Sequence, residues 1–67
     1  MTIYEFEGKR PKIGAGCFVY PESTLIGDVT IGEGCYIGPG VVIRGDYGTI
    51  IIGDRTAVEE NCTLHAR

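Results

Sequence analysis

The sequence predicts an all-β fold, a parallel β-helix of about two and a half coils, and three observations carry the prediction. Aliphatic residues recur at every sixth position, as Ile13, Val19, Leu25, Ile31, Ile37 and Ile43, and after one break again as Ile52, Val58 and Leu64. Two positions before each stands a residue of small or modest size: Pro11, Cys17, Ser23, Val29, Cys35, Val41, Ile50, Thr56 and Cys62. Glycine directly follows the aliphatic position at Gly14, Gly32, Gly38 and Gly53, where a corner benefits from a missing Cβ. Self-similarity at a short fixed period marks a solenoid.

Alternation along a strand explains the two columns. Side chains two positions apart point to the same face, so each aliphatic residue and its small companion share the inward side of one short strand. With three strands to a coil, residues eighteen apart lie one above the other. Cys17 then falls over Cys35, Val19 over Ile37 and Leu25 over Ile43.

Residues 1–12 do not fit the six-residue register and are read as an N-terminal strand and turn that cap the first coil. Residues 13–67 form the helix proper. Coil one runs from about Ile13 to Thr30 and coil two from Ile31 to Thr49. Coil three begins at Ile50 and is unfinished at Arg67, still in register, so a longer parent protein is expected. No stretch reads as a helix.

Between Ile43 and Ile52 the step is nine residues, not six. The extra residues fall within Arg44-Gly45-Asp46-Tyr47-Gly48-Thr49, and solenoid insertions map to surface loops, often on a binding face. A tolerated bulge would have the same spacing. Its content, Arg, Asp and Tyr between glycines, is that of a recognition loop.

Composition narrows the function. The chain has 67 residues, a net charge of −3 and a pI near 4.9, which argues against nucleic acid, whose phosphates need a basic stripe. No apolar run reaches the roughly 18 residues of a membrane span, and Met1 to Phe6 lacks the regions of a signal peptide. A cytoplasmic location is expected. Three cysteines without CxxC spacing, all on the small inward column, read as buried reduced thiols.

The residue after each aliphatic position points outward, which places Ile26, Arg44 and His65 in one external column. His65 is the only histidine. A lone surface histidine is ordinary, and zinc needs three or four ligands, so His65 cannot make a metal site by itself.

Arg44-Gly45-Asp46, then Ile52-Gly53-Asp54, then Val58-Glu59-Glu60-Asn61-Cys62-Thr63-Leu64-His65 resembles the γ-class carbonic anhydrases and their ferripyochelin-binding-protein-like relatives, within the hexapeptide-repeat superfamily. The match covers nearly the whole chain from Tyr4. The resemblance implies a left-handed parallel β-helix, against the usual right-handed rule for crossovers, and a homotrimer with a metal at the interface between subunits. The metal would be zinc or another divalent transition ion such as iron or cobalt. His65 matches the first of three metal-binding histidines; the other two lie in later coils, and one comes from the adjacent subunit. Arg44 and Asp46 match a pair that lines the site and ties subunits together. A bidentate guanidinium–carboxylate contact would suit them; a surface ion pair is the plainer reading. Glu59 stands where the family has Gln, Glu60 where Asp is common, and either is a candidate general base; a solvated acidic corner would look the same. Tyr47 stands where one branch carries an acidic proton shuttle.

The activity implied is hydration of carbon dioxide to bicarbonate. Two other classes remain open: acyl transfer or hydrolysis on a coenzyme A thioester, and a trimeric scaffold without catalysis.

Overall fold

The computed structural model describes residues 1–67. Eight strands and no helix make up the chain: β1 Thr2–Tyr4, β2 Lys12–Ile13, β3 Phe18–Val19, β4 Thr24–Ile31, β5 Tyr36–Ile37, β6 Val42–Ile52, β7 Ala57–Val58 and β8 Thr63–His65. All pairings between these strands are parallel. No helix is long and apolar enough to cross a membrane.

The register is the one the spacing predicts. Leu25 lies over Ile43 and Ile43 over Leu64 on the first face, Ile13 over Ile31 and Ile31 over Ile52 on the second, and Val19 over Ile37 and Ile37 over Val58 on the third. β4 and β6 are long because each serves the first and second faces and continues through the corner between them. The ladder shifts register at that corner, between Gly27 and Val29.

Burial is deepest in the middle coil. Leu25, Ile37, Val41 and Ile43 are fully buried, whereas Ile13, Val19 and Leu64 pack partly exposed against the same cluster. A strand of two or three residues has too few hydrogen bonds to persist alone. Burial of each large aliphatic side chain, worth about 1.5–3 kcal/mol, holds successive coils together.

Three features differ from the sequence expectation. β1 is itself a member of the stack, since Ile3 pairs with Leu25 and continues the inward column; the ten-residue step from Ile3 to Ile13 conceals this. Of the three cysteines, Cys35 is buried, Cys17 half-buried and Cys62 exposed, because nothing in this chain packs beneath Cys62. The glycines after the aliphatic positions answer to spacing between coils rather than to φ. A Cβ on Gly32 would lie 2.8 Å from the Asp54 nitrogen, and one on Gly53 would meet nothing. The left-handed backbone instead sits one residue before the small column, at Gly16, Gly34 and Arg55 on one corner and at Gly40 and Asn61 on the next.

Candidate functional site

β6 and β8 set the site. Their ladder pairs Arg44 with His65, and β4 sets Ile26 beside Arg44, so the outward column expected from the sequence forms on the first face. Tyr4 of β1 extends it by one position. Beyond Arg44 the chain leaves the regular path and returns at Ile50, which brings Asp46 back toward the column.

Asp46 is the hub. Its Oδ2 accepts both Arg44 Nη2 at 2.8 Å and Arg44 Nε at 3.2 Å. Its Oδ1 accepts the Tyr47 backbone N–H at 3.0 Å and lies 3.8 Å from His65 Nε2. The two guanidinium donors therefore converge on one oxygen instead of forming the two-oxygen fork expected above, and the second oxygen is left for the imidazole. The Asp46 side chain is only 10% exposed, against 37% for Arg44 and 31% for His65. The hydrogen-bonded Arg44 guanidinium holds the Asp46 carboxyl below its ordinary range although burial acts the other way.

Arg44, Tyr47, His65 and Arg67 line an open recess of about 420 Å³. Its charged groups are cationic apart from the Asp46 carboxylate behind them. Glu59 and Glu60 do not join it within this chain. They follow β7 at the corner between the third and first faces and make no hydrogen bond or ion pair with Arg44, Asp46 or His65. Their charge is felt on the third face, where burial first, then Tyr20, and then Glu59 and Glu60 raise the pKa of the Tyr36 phenol. Tyr36 stacks there on Phe18 at 6.2 Å between ring centroids.

No three His, Cys, Asp or Glu side chains converge on a point that could hold a metal ion. His65 is one donor, and its Nε2 stands 3.8 Å from the Asp46 carboxylate, close to it but beyond hydrogen-bond range. This chain's residues thus fit one arm of a metal centre and do not complete one.

Comparison with known proteins adds to this geometry. Residues 10–45 match the family described as bacterial transferase hexapeptide (six repeats). The chain belongs to that hexapeptide-repeat family. The matched span holds six aliphatic positions, Ile13 to Ile43, and ends where the insertion begins. The left-handed parallel β-helix implied by the resemblance is the fold of such repeats. The carnitine operon protein CaiE of Proteus sp. (strain LE138) is 43% identical over 65 residues, which is 97% of this chain and 33% of that protein. CaiE of Escherichia coli (strain K12 / DH10B) matches with the same identity and coverage, as does that of Escherichia coli O139:H28 (strain E24377A / ETEC). The chain spans about a third of the length of the curated relatives it matches.

Several residues beside the site escaped sequence reasoning: Phe6, Lys9, Asp28 and Arg67. Phe6 and Lys9 precede the repeat, and nothing in the six-residue spacing marks Asp28. The ten-residue step from Ile3 to Ile13 was the available signal, because it marks a second insertion at the corner that carries the first.

Proposed function

We propose that the protein carrying this chain is a γ-carbonic-anhydrase-like metalloprotein, a cytoplasmic homotrimer that hydrates carbon dioxide at an interface between subunits. The observation that supports this most is the hub at Asp46, which takes Arg44 on one oxygen and faces His65 with the other. A half-buried, ionised carboxylate beside an outward imidazole has a clear use when that imidazole binds a cation.

In this reading His65 supplies one donor to zinc, or to iron or cobalt in its place, and histidines outside this chain supply the others. Such an ion makes a bound water acidic enough to act as a nucleophile near neutral pH. Carbon dioxide and water give bicarbonate and a proton. Asp46, 3.8 Å from Nε2, is the group placed to orient the imidazole when their contact closes to a hydrogen bond. Arg44, held by Asp46, presents a fixed cation toward the recess, where Arg67 adds a second, and both favour an anionic product. Glu59 or Glu60, from the acidic corner, would take up the proton across the interface.

A second reading is acyl transfer or thioester hydrolysis with a coenzyme A substrate, favoured by the transferase description of the matched family. The test is metal analysis of the purified protein followed by a carbon dioxide hydration assay run beside a panel of acyl thioesters. About one divalent ion per chain with hydration activity is the expected result. Turnover of thioesters without hydration would replace the first reading with the second, and a metal-free protein inert in both assays would leave the scaffold.

A further inference from the structure

Two insertions interrupt the six-residue spacing, and the fold puts both at one corner. The first, between Ile3 and Ile13, is a hairpin: Phe6 and Lys9 exchange backbone hydrogen bonds of 2.9 and 3.0 Å around Glu7 and Gly8, both at positive φ. This is the backbone of a two-residue hairpin turn. The second is the stretch from Gly45 to Thr49 that carries Asp46. Coil one, between them, turns the same corner on Gly27 and Asp28 alone. That leaves a cleft of about 250 Å³ lined by Phe6, Lys9, Asp28, Asp46 and Thr49 among others.

The second insertion needs support from outside itself. Pairing with β4 runs to Gly27 opposite Gly45 and resumes at Val29 opposite Ile50, so Asp46, Tyr47, Gly48 and Thr49 have no partner there. Two routes from the hairpin supply it. The Phe6 ring meets the Tyr47 ring edge-on, with centroids 5.8 Å apart and planes at 70°. Lys9 Nζ lies 3.7 Å from Asp28 Oδ2, and the same oxygen accepts the Thr49 hydroxyl at 2.7 Å. Both routes brace the insertion just after Asp46, at Tyr47 and at Thr49.

We propose that the N-terminal hairpin is a positioning element of the site: Phe6 through Tyr47, and Lys9 through Asp28 and Thr49, hold the Gly45–Thr49 stretch so that Asp46 meets Arg44 and His65 together. This deepens the metal-site reading and rests on it for purpose, while its geometry stands apart from it. Phe6 and Lys9 touch no reacting group. Their effect passes through residues 47 and 49 to the carboxylate at 46.

The Tyr47 amide reports directly, because it donates to Asp46 Oδ1. Its hydrogen exchange, followed by NMR on the purified protein, is compared between the parent, Phe6→Leu and Phe6→Tyr. Loss of the ring in Phe6→Leu is expected to speed exchange at Tyr47 roughly tenfold through local opening, while the Ile43 amide keeps its protection; Phe6→Tyr, which retains the ring, keeps the parent rate. Thr49→Val is expected to act in the same direction, with recovery in Thr49→Ser. Cobalt(II) binding serves as a second readout and is expected to weaken about tenfold in Phe6→Leu, the effect typical of losing outer support. Tyr47 exchange in Phe6→Leu within about twofold of the parent, well short of a full local opening, would overturn the proposal. A parent protein that binds no cobalt would refute the metal reading alone, since the exchange comparison decides the positioning role without it.

Discussion

Ile43 and Arg44 are consecutive residues of β6, and they answer to different physics. Ile43 faces inward, fully buried between Leu25 and Leu64. Arg44 faces outward between Ile26 and His65 and is held by a single carboxylate. The inward column repeats one task in each coil, so its residues are interchangeable in kind. In the outward column each coil differs. Stability is therefore distributed along the inside of the helix, whereas the site is gathered at one place outside, where an insertion lets Asp46 reach two neighbours that the regular spacing would not bring to it.

The sharpest separation of the two columns comes from truncation. Ile43→Ala is expected to destabilise the protein by about 2–5 kcal/mol, the usual range for an aliphatic core side chain replaced by Ala. Urea unfolding measures this, and a loss as small as that of a surface change would show that the inward stack does not carry the fold. Next in size is the spacing between coils. Gly32→Ala forces a Cβ against the Asp54 backbone and is expected to cost about 1–3 kcal/mol.

The outward column is expected to show itself through pH. Arg44 lowers the Asp46 pKa in the folded protein, so the stabilisation is fully present above the ordinary carboxylate range and is lost as pH falls through the lowered value. The parent should accordingly lose stability more steeply below about pH 4 than Asp46→Asn, which has no carboxyl to titrate. Equal acid profiles would show that the Arg44–Asp46 contact contributes nothing in solution. Smallest of all is the effect of His65→Ala on the folding of the metal-free protein, expected within about 0.5 kcal/mol, since a partly exposed side chain is removed.

Much of this architecture is legible in the sequence because the inward column is a one-dimensional rule. Nine positions spaced by six, with one gap, determine three faces and their register, and they also set His65 beside Arg44 through the period of two along a strand. Ile3 is invisible to the same rule because a hairpin separates it from Ile13, and only the pairing of β1 with β4 shows it to be a further member of the stack. The site was legible as far as residues on regular strands. Asp46 was noticed for its chemistry, but its two-sided role depends on the path of an irregular loop, which periodicity does not describe. Glu59 and Glu60 lie six and five residues before His65 in sequence, yet they sit across the first face on another corner because β8, Thr63–His65, runs between them. The contact of Phe6 with Tyr47 joins two insertions from different coils, and no local pattern encodes it.

Native mass spectrometry with metal analysis, on the unmodified protein and on His65→Ala, decides whether the outward column binds a divalent ion while the inward column holds the fold. The expected result is about one divalent ion per chain in the unmodified protein, and loss of that ion in His65→Ala with the fold retained. Metal content unchanged by His65→Ala, or a parent that binds none, would contradict it.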